Sequence, residues 1–185
     1  MSNSRGALGR AAPLLALCLV FLLLFLLLER ENRAVEAPEY DVKAAYLFNF
    51  AQFVQWPPQA FSSPSAPFVI GILGSDPFGG RLDRIVRGEV VRGHRLAVRH
   101  YGGTGDLRSC QILFIPKTES GRVGEALAAV RGSAVLTVGD TDHFVSQGGM
   151  IGFTMAGKSV RFQINSGAAQ REGLTISSRL LKIGG

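Results

Sequence analysis

Phe68-Val69-Ile70-Gly71-Ile72-Leu73 is an unbroken apolar run between Pro67 and Gly74. Its length suits a strand, and a strand apolar at every position is one buried on both faces, as in the middle of a parallel sheet. Gly74-Ser75-Asp76-Pro77-Phe78-Gly79-Gly80 comes next and reads as a tight turn. In it Asp76 serves as helix N-cap and Pro77 takes the first helical position. Helical spacing then runs from Phe78 to Val86, with Leu82, Ile85 and Val86 apolar. A buried strand, a tight turn and a helix are the repeating unit of an α/β fold.

Working outward, the same grammar recurs. Leu96 to Tyr101, Ile112 to Ile115 and Ala134 to Val138 read as strands. Ser120 to Arg131 reads as a helix, with Val123, Leu127 and Val130 on one face, and His143 to Ser146 as a helical turn. One strand per helix predicts right-handed crossovers and a mainly parallel sheet. The pattern then changes. Met150 to Met155 and Ser159 to Ile164 flank Ala156-Gly157-Lys158 as a hairpin. Asn165 caps a helix that Gly173 ends, and Ser177 caps a last short one. The expected architecture is a three-layer α/β sandwich with a C-terminal antiparallel hairpin.

Before the first strand stands the most aromatic segment, Asp41 to Pro57. Asp41 is its expected cap and Pro57 its stop. Leu47, Phe50 and Val54 line one face, and Tyr46, Phe50 and Phe53 a neighbouring one. A helix apolar on most sides must be covered on most sides. The cover is either the chain's own core or a second protein surface. Phe48 lies about 160° from Phe50 on the helical wheel and fits one shared buried face least. Phe48, Gln52 and Trp56 are therefore the candidate partner or dimer surface.

Ala11 to Leu28 is an uninterrupted apolar run preceded by Arg5 and Arg10. It is near the lower limit for spanning a bilayer and longer than an ordinary signal-peptide core. The basic end stays cytoplasmic and the remainder is exported. The expected organisation is a cytoplasmic N-terminus with a signal peptide or signal anchor over 1–34, a linker over 35–39 and one domain over 40–185. Leu17 before Cys18 is too large for a lipoprotein box. The formal charge of +6 is carried by scattered arginines, not by the dense basic and aromatic patch that nucleic-acid binding requires.

The usual catalytic constellations are missing. His94, His100 and His143 are dispersed, and the exported part holds one cysteine, Cys110, so no metal site and no cofactor are expected. Cys110 opens an apolar strand and reads as a buried thiol. Two loops follow strands, Gly74 to Gly80 and Gly139 to Asp142. Such carboxyl-end loops converge on one crevice in a parallel sheet. Ser75, Asp76, Phe78, Gly79, Asp140 and Thr141 are its candidate lining, for a small molecule the sequence does not identify. The competing reading of the first loop is a capped tight turn.

Several blocks also resemble one family. Lys43-Ala44-Ala45-Tyr46-Leu47-Phe48-Asn49-Phe50 and Phe53-Val54-Gln55-Trp56-Pro57 resemble the opening helix of YfiR-like periplasmic regulators. Cys110 to Ile115, Val135 to Asp140, Gly148 to Ile151, Val160 to Asn165 and Ile176 to Lys182 resemble its later blocks, in order. The resemblance implies a periplasmic, non-enzymatic protein that restrains an inner-membrane diguanylate cyclase by binding its periplasmic part. A homodimer is the other partner that the cover of the aromatic helix leaves open. The alternative is a periplasmic ligand-binding module of sensory or transport type. Asn165 to Leu181 is similar to the C-terminal helices of some substrate-binding proteins, although the chain has room for one lobe only.

Overall fold

The computed structural model describes Leu22 and residues 38–184. The export segment proposed over Ala11 to Leu28 otherwise lies outside them. Among the described residues no helix is long and apolar enough to cross a membrane. The chain is a mixed α/β protein built on a seven-stranded, mostly parallel sheet. Helix α1 covers residues 38–53. It is followed by β1 (Val54–Gln55), β2 (Phe68–Leu73), α2 (Arg81–Val86), β3 (Val90–Val91), β4 (His94–Tyr101), β5 (Ile112–Ile115) and α3 (Val123–Ala129). Then come β6 (Leu136–Gly139), β7 (Ile151–Ala156), β8 (Ser159–Ile164), α4 (Ser166–Arg171), β9 (Thr175–Ile176) and α5 (Ser178–Ile183).

The sheet order is β3-β4-β2-β5-β6-β7-β8. Neighbours from β4 to β7 run parallel. The edge strands β3 and β8 are antiparallel to β4 and β7. Every residue of β2, β5 and β6 is buried, which is why these runs are continuously apolar. β8 alternates buried and exposed, as expected at an edge.

Alternation along the strands sorts the interior into two cores. On one face Ile70, Ile72, Phe114 and Val138 pack with Leu47 and Phe50 of α1, Leu82 of α2, Ala168 of α4 and Leu180 of α5. On the other face Val69, Leu73, Leu113 and Ile115 pack with Val123 and Ala126 of α3 and with Phe144. That is the three-layer sandwich. Asn165 caps α4 by accepting from the Ala168 amide at 2.9 Å, and Ser177 caps α5 by accepting from Leu180 at 3.3 Å.

Four local expectations change. Helix α1 is already formed at residue 38, so Asp41 lies inside it and pairs with Arg81 Nε at 2.6 Å instead of capping. It also stops before Pro57, because Val54–Gln55 pair antiparallel with Thr175–Ile176. Asp76 caps a turn and not the helix itself. Gly79 and Gly80 have φ of 56° and 74°, which a right-handed helix excludes, so α2 begins at Arg81. The segment expected as one helix from Ser120 opens as a 3₁₀ stretch, Lys117–Arg122, before α3.

Candidate functional site

The C-terminal end of the sheet holds the most concentrated polar chemistry. Asp140 follows β6 directly, and its carboxylate is almost fully buried. It accepts from Lys43 Nζ at 2.6 Å, from Tyr40 Oη at 2.9 Å and from the Lys117 backbone amide at 2.6 Å. The Lys43 and Asp140 side chains are 3% and 2% exposed. Lys43 also pairs with Glu39, one turn earlier on α1. Its ammonium sits 4.4 Å from the centre of the Tyr40 ring. Three elements therefore meet on one carboxylate: helix α1, the end of β6 and the segment leaving β5. Burying two charges costs several kcal/mol per ion, offset only where each is paired and hydrogen-bonded. Here both are.

The loop that carries Asp140 is held by missing side chains. Phe144 turns back over the sheet and is 2% exposed. A Cβ on Gly139 would lie 2.6 Å from its ring, and one on Gly149 would lie 2.2 Å away. Both glycines give the ring its place against bare backbone. Beside this loop opens a cavity of about 740 Å³, lined among others by Lys117, Thr141, His143, Phe153 and Gln163. Thr141 is 6% exposed, and among the described residues its Oγ1 has no hydrogen-bond partner.

The residues expected in one crevice are distributed as follows. Asp140 and Thr141 line this cavity. Ser75 is exposed and Gly79 occupies the positive-φ turn. Asp76 accepts from the Phe78 amide at 2.7 Å and from the Gly80 amide at 3.2 Å. Phe78 is fully buried, edge-on to Tyr40 with ring centres 5.6 Å apart and 5.0 Å from Phe114.

On the opposite side of α1, Gln52 is exposed and Phe48 half-buried against the core. Trp56 is half-buried. Its indole N–H donates to the Gln111 carbonyl at 3.1 Å, and its ring meets Phe68 edge-on at 4.9 Å. Trp56, Phe61, Phe68, Val91, Arg92 and His94 border a second cavity of about 500 Å³. Most other aromatics of α1 are covered within the chain. Phe50 stacks on Phe153 at 5.9 Å, Tyr46 meets Phe162 at 5.1 Å, and the Arg179 guanidinium lies 5.4 Å from the Phe53 ring centre.

Cys110 is buried, and its Sγ donates to the Leu107 carbonyl at 3.1 Å. Burial pushes the thiol from 9.0 up to about 12. It is protonated at neutral pH and unavailable as a nucleophile or for a disulfide. Burial also raises Tyr101, whose hydroxyl lies 2.8 Å from Ser109 Oγ.

Compared with known proteins, residues 40–184 match a family model described as YfiR/HmsC-like. The chain belongs to the YfiR/HmsC-like family. These proteins are periplasmic regulators in cyclic-di-GMP signalling and form a non-enzymatic family. No curated protein sequence matches the chain. Among solved structures, a conserved domain protein from Vibrio cholerae O1 biovar El Tor strain N16961 is similar at 13% identity with a TM-score of 0.46. The similarity covers 63% of this chain and 53% of the other, so the chain spans about half of that structure. In this YfiR/HmsC-like chain the quoted sequence blocks meet in space: Lys43 of the opening block holds Asp140, and Gly149 of the Gly-Gly block seats Phe144.

Sequence reasoning found Asp140 from its place after a strand. It missed Lys43, Tyr40 and Glu39 as its partners. The available signal was a lysine in an otherwise apolar helical face, next to Ala44 and Leu47.

Proposed function

We propose that this protein is a periplasmic regulator that restrains an inner-membrane diguanylate cyclase by binding the cyclase's periplasmic part. Membership of the YfiR/HmsC-like family over residues 40–184 carries the reading. Export relies on Ala11 to Leu28, which is then cleaved or kept as an inner-membrane anchor. Regulation works by differential affinity. A protein that binds the inactive cyclase conformation more tightly shifts the population toward it, and its release restores activity. A hundredfold preference corresponds to about 2.7 kcal/mol. The proposed docking surface comprises Phe48 and Gln52 of α1 and Trp56 just after β1, in which Gln52 is exposed and the two aromatics are half-buried. Aromatic residues with part of their surface free are favoured anchors at interfaces.

The test uses a photo-crosslinking residue in place of Gln52 in the full chain, in membranes of the native host. A covalent adduct with a cyclase supports the proposal. An adduct of the chain with itself assigns this surface to a homodimer, and no adduct removes it from any interface. The second reading, a small-ligand sensory module, is favoured by the cavity of about 740 Å³ at the carboxyl ends of the strands and by the unpaired Thr141 hydroxyl. Mass spectrometry of the natively purified chain tests it. A stoichiometric bound small molecule supports that reading, and its absence leaves the regulator without a resident ligand.

A further inference from the structure

Away from the Asp140 cluster, the turn after β2, the helix α2 and the strand β4 bring three donor groups together. The carboxylate oxygens of Asp76 and Asp83 and an imidazole nitrogen of His100 all lie within 4.8 Å of one another. Among the described residues this is the one place where three such groups converge. The topology explains why. Residue Ile72 of β2 pairs with His100 of β4. Paired residues of parallel strands project from the same face, so His100 shares the face of Ile72, which is packed in the core that also receives Leu82 and Val86 of α2. Helix α2 thus passes over the end of β4 and sets Asp83 beside His100. Asp76 sits four residues beyond Ile72, fixed by the Phe78 and Gly80 amides.

Among the described residues no basic side chain offsets the two carboxylates of this group. The chain carries 20 Lys and Arg against 14 Asp and Glu, and Glu39, Asp41, Glu119 and Asp140 all have basic partners. Among the described residues no Lys or Arg pairs with Asp76 or Asp83. Arg81, two residues before Asp83, is committed to Asp41 at 2.6 Å and to the Phe78 carbonyl at 2.9 Å. Two carboxylates held this close repel each other, and a bound cation removes the repulsion. The third donor decides which cation. Imidazole with carboxylates suits first-row divalent ions of the Zn²⁺ type, whereas Mg²⁺ takes oxygen ligands and dehydrates reluctantly.

We propose that Asp76, Asp83 and His100 bind one divalent cation of the Zn²⁺ type, with solvent completing the coordination. The ion ties the turn after β2 and helix α2 to the end of β4. The site is independent of the regulatory reading given above.

The test uses the full-length chain in mild detergent, stripped with chelator and titrated with Zn²⁺ and, separately, with Mg²⁺. Binding is followed by calorimetry and thermal unfolding. One Zn²⁺ per chain, a raised melting temperature and no measurable Mg²⁺ binding are expected. Asp83→Asn and His100→Ala change a half-buried and an exposed position, and each should keep the circular dichroism spectrum and weaken Zn²⁺ binding at least about tenfold. No stoichiometric Zn²⁺ binding, equal binding of Mg²⁺, or full affinity in either variant overturns the proposal.

Discussion

Replacing Asp140 by Asn should be among the most damaging single changes in this protein. The substitution keeps the shape and removes the charge, leaving Lys43 with a side chain 3% exposed and the more buried of its two counter-ions gone. Breaking a buried ion pair by removing one partner costs about 3–5 kcal/mol. Glu39 still pairs with Lys43 from a position whose side chain is 15% exposed, which places the cost near the lower end, about 3 kcal/mol. The Lys117 amide is at the surface and turns to water, so it adds little. For a domain of this size each kcal/mol lowers the melting temperature by about 2–4 °C, so the expected drop is about 6–12 °C. Thermal unfolding of the full chain in mild detergent, followed by circular dichroism, measures it. The combined change Glu39→Gln, Lys43→Met and Asp140→Leu removes all three charges and should recover most of the loss, since neutral packing replaces a buried ionic cluster at little cost. A loss below about 1 kcal/mol for Asp140→Asn, or a triple variant no more stable than the single one, would falsify the view that this cluster is desolvated and coupled.

Three further outcomes follow from the geometry. Gly149→Ala brings a methyl group to 2.2 Å from the Phe144 ring and should cost about 1–3 kcal/mol through overpacking; a melting temperature equal to wild type would show that the loop can shift freely. Cys110, with its thiol raised to about 12 by burial, should resist a thiol-specific reagent at pH 8 in the folded Cys18→Ser chain and react at once in denaturant; rapid labelling of that native chain would contradict its burial. A thiol raised from 9.0 to about 12 keeps its proton in the folded state while the unfolded state loses it, so stability is full below pH 9 and falls as pH rises from 9 toward 12. Tyr101 is raised as well and adds in the same direction. Cys110→Ala should flatten this alkaline decline, and an unchanged pH profile would remove the thiol as its source.

What could be read from the chain alone was whatever is encoded locally. β2, β5 and β6 are legible because a strand buried on both faces must be apolar throughout. The hairpin around Gly157 and the caps at Asn165 and Ser177 are legible because each depends on a few adjacent residues. The buried state of Cys110 is legible from the apolar run Ile112 to Ile115 just after it. Tertiary structure decided everything that joins distant positions. Lys43 and Asp140 are 97 residues apart, and no periodicity links them. Nothing local in the sequence links Asp76, Asp83 and His100, which meet only when β4 pairs with β2 and α2 crosses above them. The two-residue strands Val54–Gln55 and Thr175–Ile176 are too short to carry a pattern and exist because each supplies the other's partner. The place of Asp41 belongs to the same class. Asp41 has every local property of a cap, yet the helix is already formed at residue 38. Inside the helix Asp41 pairs with Arg81, while Tyr40 and Lys43 reach Asp140, contacts that only the packing of distant elements supplies.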